Sequence, residues 1–175
     1  MASDSMSVVG WTANGVATPK LWRVGPFLMG GSGELRAQQI VRYELEAHIR
    51  ADPTARWEGL SEATVEEYLV RSLVPTLRTI LSMRNRLKND AGLEFSDNHF
   101  LIAWRSRLFT IWGDFGVEAV PDGYGAVGSA RDIALGALAI TADMPPKGRL
   151  RLVMETAHKH NMGVRPPFDF DVTRP

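Results

Sequence analysis

The sequence has 175 residues, 45% of them hydrophobic and 23% charged, with twenty basic residues balancing twenty acidic ones. That is the length of one globular domain, and a formal net charge of zero argues against a general nucleic-acid binder, which carries a basic excess. The lack of cysteine excludes disulfides, thiolate metal ligands and a cysteine nucleophile among these residues.

No apolar run approaches the ~18 residues that a membrane helix needs. No signal-like segment is present either, so the expected compartment is the cytoplasm. The chain opens "MASDSMSVVGW", where small residues lead directly into Val8 and Val9 as though into a strand. From Lys20 the reading is "KLWRVGPFLMGGSGELR". Leu21 to Val24 and Phe27 to Met29 form two short strands that meet at the turn signal Gly25-Pro26. Gly30, Gly31 and Gly33 then lead into a helix whose apolar stripe is Ala37, Ile40, Val41, Leu45, His48 and Ile49, at i, i+3, i+4 spacing. A second helix is expected from Ser61-Glu62, with the stripe Val65, Tyr68, Leu69, Leu73, Leu77, Ile80 and Leu81 and a kink at Pro75.

Lys88 to Asn98 is polar, contains Gly92 and reads as a loop. "HFLIAWRSRLFTIWGDFGVEAV" predicts a meander of three strands, with turns near Arg105-Ser106 and Gly113-Asp114. Asp122-Gly123 predicts a turn into a short strand ending at Val127, followed by a helix from Ser129. Leu150, Val153, Met154 and Ala157 mark a further helix after Pro145-Pro146, and Phe168 to Val172 a last strand. Strands and helices come in blocks, which predicts one α+β domain over residues 1–175, with two sheets face to face and helices outside.

Several segments could carry chemistry. In "GGSGELR" glycines precede a helix N-terminus, whose free N–H groups can hold an anion or a developing oxyanion. A tight strand-to-helix turn is the simpler account. Ser129 and Asp132 have capping-box spacing, so Ser129 is expected to cap its helix, which does not exclude a second role. "HKHN" does not suggest a metal site, because His158 and His160 point different ways on a helix. Lys20 is one of only four lysines, and it enters an apolar strand after Thr18-Pro19. A lysine placed there needs a carboxylate partner.

Together these stretches resemble the proteasome β-subunit and HslV-type peptidases, within the N-terminal-nucleophile (Ntn) hydrolases. "ASDS" looks like the family's second strand with its catalytic aspartate, and "KLWRVGPFLMGGSG" like its lysine strand and glycine turn. "YGAVGSARDIALGAL" is similar to the family's Gly-Ser approach to a helix, and "VMETAHKHNMGVRPPFDFDV" to its last helix and returning strand. The resemblance covers nearly the whole chain in the right order.

The resemblance implies a four-layer αββα sandwich and a mechanism. In the family an N-terminal Thr, Ser or Cys attacks an amide while its own α-amine takes the proton. A lysine lowers the nucleophile's pKa, an aspartate keeps that lysine charged, and a glycine-turn N–H stabilises the oxyanion. Asp4, Lys20 and Ser129 match the catalytic stations, and Gly33 the oxyanion turn. Where the family has an aspartate near the end of the last helix, this chain offers Lys159, His160 or Asn161. The family's nucleophile stands as far before the aspartate as the lysine stands after it, which falls ahead of Met1. The expectation is therefore that the gene product carries a further strand with that nucleophile, and that the 175 residues alone are inactive. The opening segment would then be the second strand of an N-terminal hairpin.

The implied function is a threonine-type peptidase subunit that assembles with itself in a ring, takes peptide as substrate and has an unfoldase ATPase as a candidate partner. No cofactor, metal, nucleic acid or membrane is expected. A catalytically silent assembly subunit and a small-molecule amidase on the same fold are the alternatives.

Overall fold

The computed structural model describes residues 1–9, 12–15 and 18–173, apart from the side chains of 7–9 and 12–14. At its centre is a five-stranded antiparallel sheet. In chain order its strands are β4 (Leu21–Val24), β5 (Phe27–Ser32), β8 (His99–Trp104), β9 (Arg107–Ile111) and β10 (Val117–Ala119). Their spatial order is β10-β9-β8-β5-β4. The expected turns at Gly25-Pro26 and Arg105-Ser106 close two of its hairpins.

Side chains alternate across this sheet as the strand period requires. Trp22, Val24, Phe27, Met29, Phe100, Ile102, Trp104, Phe109 and Ile111 face one way and are buried with two helices. The first is α1 (Leu35–Ala51), whose Ala37, Ile40, Val41, Leu45 and Ile49 are buried as the stripe predicted. The second is α2 (Val65–Tyr68), which continues through a π-helical turn at Leu69–Leu73 into α3 (Val74–Met83). The predicted kink at Pro75 is realised as that wider turn. Proline has no N–H to give the preceding turn, and the π segment just before it relaxes the ladder where the bond is missing. The helix starts at Val65 rather than Ser61 because Ser61 and Thr64 close their own turn. There Ser61 N–H donates to Thr64 Oγ1 at 3.0 Å, and Thr64 N–H to the Ser61 carbonyl at 3.2 Å.

On the other sheet face Leu21, Leu28 and Ala103 pack with Met1 and Leu108. Over this face lies a ribbon of β1 (Ala2–Ser3) paired antiparallel with β11 (Asp169–Phe170). Arg23 of the central sheet ties to it, donating to Asp171 Oδ1 and to the Val172 carbonyl, each at 2.7 Å. Two packed helices, α4 (Arg131–Ile140) and α5 (Pro146–His160), form the outer layer. Ala130, Ala157 and Val164 close its core with Ile133, Met154 and Phe168. The layers therefore run helices, sheet, ribbon, helices, in the αββα order expected. After β1 the chain forms β2 (Met6–Val9), paired with β3 (Thr12–Gly15). That makes Met6–Val9 the first arm of the described hairpin.

Four expectations need correction. Lys88 to Asn98 is not simply a loop, because β6 (Lys88–Asp90) and β7 (Leu93–Phe95) form a hairpin there. Its two-residue turn holds Ala91 at φ 48° and Gly92 at φ 86°, the twist that hairpins favour. The strand expected up to Val127 does not form. β10 occupies that edge of the sheet, and the segment crosses the sheet face instead, with Gly125 seated on Leu101 and Leu108. The following helix starts at Arg131, and Ser129 does not cap it. The last strand is confined to Asp169–Phe170.

Candidate functional site

Asp4 follows β1 in the ribbon layer, and Lys20 immediately precedes β4 in the central sheet. Lys20 Nζ donates to Asp4 Oδ1 at 2.8 Å, while the other carboxylate oxygen accepts the Met6 N–H at 2.9 Å. Both side chains are largely covered, 21% exposed for Lys20 and 14% for Asp4. The carboxylate is thus held by a backbone donor and an ammonium at once, each through a charge-assisted hydrogen bond. The pair bridges two layers, and sequence spacing alone could only suggest it.

The β4–β5 register pairs Leu21 with Gly30, which brings Lys20 beside the glycines at the end of β5. At Gly31 a Cβ would stand 3.0 to 3.2 Å from the rings of Phe100 and Trp22. Gly33 has φ +107°, and a Cβ there would lie 2.2 Å from the Asp97 carbonyl oxygen and 2.9 Å from Asn98 Oδ1. Only glycine fits such a turn. Its carbonyl accepts a hydrogen bond from Gln38 Nε2 at 3.1 Å, which pins the turn to the first residues of α1. The tight strand-to-helix turn expected at "GGSGELR" is thus present, at the end of the strand whose glycines lie beside Lys20.

Ser129 reaches this region through the preceding residue, since a Cβ on Gly128 would touch Ser32 Cβ at 3.4 Å. Its hydroxyl donates to Asn161 Oδ1 at 3.2 Å, and Asn161 Nδ2 donates back to the Ser129 carbonyl at 2.9 Å. Asn161 Oδ1 also accepts the Gly163 N–H at 2.8 Å. Of the three residues offered at the end of the last helix, Asn161 is thus the one that meets Ser129. The capping-box spacing misled because this bond takes the hydroxyl away from the helix, while Asp132 pairs with Arg131.

Among the described residues no hydrogen bond joins the Asp4–Lys20 pair to the Ser129–Asn161 pair. His158 Nδ1 contacts the Val164 carbonyl at 2.8 Å, and His99 meets Trp112 edge-on. Among the described residues no group of three His, Cys, Asp or Glu could hold a metal ion, and no helix is long and apolar enough to cross a membrane. A cleft lined by Ile49, Arg50, Arg56, Trp57 and Glu58 lies at the opposite end of α1 from the Gly33 turn.

No protein-family model matches the sequence, and no curated protein matches it. Solved structures do. BPH of Thiobacillus denitrificans, solved in complex with epoxomicin, superposes with a TM-score of 0.72 at 22% identity, over 96% of this chain and 88% of that one. HslV of Trypanosoma brucei gives 0.70 at 18% identity, with the same coverage of 96% and 88%. Anbu of Pseudomonas aeruginosa, solved as a helical assembly, gives 0.61 at 20% identity, over 96% of this chain and 73% of that one. The chain has the HslV and proteasome β-subunit fold. At these identities the likeness is one of fold, and any function rests on the residues of the site. In this fold the ribbon layer places Asp4 over the central sheet, and the Lys20, Gly33 and Ser129 segments converge at the end of β5.

Proposed function

We propose that this chain is a proteasome-type Ntn-hydrolase subunit that cleaves peptide bonds within an assembly of its own copies in the cytoplasm. The observation that carries this reading is the Lys20–Asp4 ion pair, 2.8 Å long and mostly covered, beside a glycine turn on this fold. Lys20 supplies a positive charge beside the reacting hydroxyl, which makes that hydroxyl a better nucleophile, and Asp4 holds the ammonium in place through their 2.8 Å hydrogen bond. The Gly33 turn offers a backbone N–H to the oxyanion, and Ser129 supports the reacting amine. None of the 175 residues is assigned as the nucleophile. Ser3 and Ser5 flank Asp4, and Ser5 Oγ is occupied in donating to the Pro167 carbonyl at 2.5 Å. Self-assembly is supported by the helical assembly of the Anbu neighbour. An unfoldase ATPase is proposed as the partner that feeds it substrate.

The test is hydrolysis of fluorogenic peptides by the protein expressed from its whole gene, with its N-terminus read by intact mass. Turnover that Lys20→Ala abolishes, and that epoxomicin blocks, is the expected result. Turnover that survives Lys20→Ala would overturn the assignment. A catalytically silent assembly subunit is the second reading, which the helical assembly of the Anbu neighbour supports equally. An assembled protein that leaves peptides uncut would establish that one instead.

A further inference from the structure

The clasp between Ser129 and Asn161 has a direction that its backbone partners impose. The Gly163 N–H can only donate, and it points at Asn161 Oδ1 from 2.8 Å. The Ser129 carbonyl can only accept, and it faces Nδ2 at 2.9 Å. Turning the amide over would set donor against donor and oxygen against oxygen, so its orientation is fixed. With Oδ1 fixed as an acceptor, the Ser129 hydroxyl at 3.2 Å must spend its proton on it. The lone pairs of that hydroxyl then point away from Asn161. Space enforces the same geometry, since a Cβ on Gly163 would stand 2.7 Å from Ser129 Oγ and 3.1 Å from Asn161 Oδ1.

We propose that Asn161 is a positioning residue whose uncharged amide, donating and accepting at once, locks Ser129 as a hydrogen-bond acceptor toward the site. A carboxylate could accept from the hydroxyl and from Gly163, but it could not donate to the Ser129 carbonyl. It would also put a negative charge on the clasp itself, where the Asn161 amide carries none. The charged and titratable groups around the clasp are Arg131 and Asp132 at the head of α4, His158, Lys159 and His160 in the last turn of α5, and Arg165 beyond it. Among the described residues none of them hydrogen-bonds to the Ser129 or Asn161 side chain. The clasp itself stands on its hydrogen bonds, and only what Ser129 serves rests on the function proposed above.

The experiment compares Asn161→Asp and Asn161→Ala with the wild-type protein in thermal unfolding across pH 4 to 8. Asn161→Asp is expected to melt roughly 3–6 °C lower at pH 7, the scale for losing a cap of this kind in a chain this long. The gap should narrow on acidification, because the introduced carboxyl, once protonated, can donate to the Ser129 carbonyl again. A gap that stays constant or widens toward acid would overturn the proposal, since the acceptor role alone would then explain the clasp. If Asn161→Asp does not fold, exchange of the wild-type side-chain amide protons decides. One slow proton at Asn161 supports the donor role, and two exchanging as fast as those of exposed Asn85 overturn it. In peptide hydrolysis the added charge should move the acid limb of the Asn161→Asp pH profile upward. An unmoved limb with a narrowing gap would leave the clasp structural and overturn its positioning role. A wild-type protein that cuts no peptide would sink the functional reading and leave the clasp to the melting data.

Discussion

Replacing Gly33 with alanine separates two costs that are usually entangled. The backbone at Gly33 sits at φ +107°, and an added Cβ would meet the Asp97 carbonyl oxygen at 2.2 Å and the Asn98 Cα at 2.9 Å. Gly59 provides the control, with φ +85° and nothing within 4 Å of its would-be Cβ. Gly59→Ala therefore carries only the strain of a left-handed residue, about 1–2 kcal/mol. Gly33→Ala adds an overpacking term against backbone atoms that cannot rotate away, roughly 1–3 kcal/mol more. With a urea slope of about 2 kcal/mol/M, the midpoint should fall by roughly 0.5–1 M for Gly59→Ala and by roughly 1–2.5 M for Gly33→Ala. Equilibrium urea unfolding reads both. Equal midpoint losses in the two variants would refute the close approach of residues 97 and 98 to the turn. The Gly33 turn would then lose its claim to be a rigid platform for an oxyanion.

Tyr68 is buried, stacks on Phe27 at 5.7 Å and donates its hydroxyl to the Ala55 carbonyl at 2.8 Å. Burial, reinforced by the negative charge of Glu58, raises its pKa above the ordinary tyrosine value. Its contribution is therefore fully present below about pH 10 and is lost as pH rises further, through the raised folded-state value. Tyr68→Phe should cost about 1 kcal/mol at pH 7 and flatten alkaline unfolding, and an unchanged alkaline limb would refute that account. Leu77 is fully buried between α3 and the sheet, so Leu77→Ala should lose roughly 2–5 kcal/mol in urea unfolding. A loss under 1 kcal/mol would mean that this core is loosely packed.

The central sheet, α1 and α5 were legible because their periodicity is strong and their faces are either buried or not. Trp22 and Val24 alternate with Leu21 and Arg23, and both faces of the sheet are accounted for. The hairpin at Lys88–Phe95 leaves little trace in the sequence, because its strands are mostly exposed and its turn is marked only by Ala91-Gly92. Tyr124 to Val127 looked like a strand because apolar residues alternate there, but alternation does not show that a sheet edge is vacant. At the site, one-dimensional spacing could pair Asp4 with Lys20 only through a resemblance. The reason they meet is tertiary, since β1 is held by β11 and β11 by Arg23. Asn161 could not be chosen over Lys159 and His160 from sequence, because the choice depends on where α5 ends relative to the Ser129 carbonyl.

The Lys20–Asp4 pair also offers the sharpest means of separating a working subunit from a scaffold. A covered ion pair is a poor stabiliser, because apolar residues of similar volume in its place are often neutral or better, whereas removing one partner strands the other. Lys20→Met leaves Asp4 with its Met6 N–H and should cost about 1–2 kcal/mol. Asp4→Leu orphans that N–H as well as the ammonium and should cost more, about 2–4 kcal/mol. Combined, the two should cost less than their sum, by about 1 kcal/mol or more, measured as a double-mutant cycle in urea. The double variant still leaves the Met6 N–H unpaired and so stays below the wild type in stability, but assembly itself makes no demand on the ammonium. The proposed chemistry does, because a cation beside a hydroxyl lowers its pKa. The double variant should therefore still assemble while its peptide turnover disappears, and turnover that persists in it would refute the catalytic role of the pair.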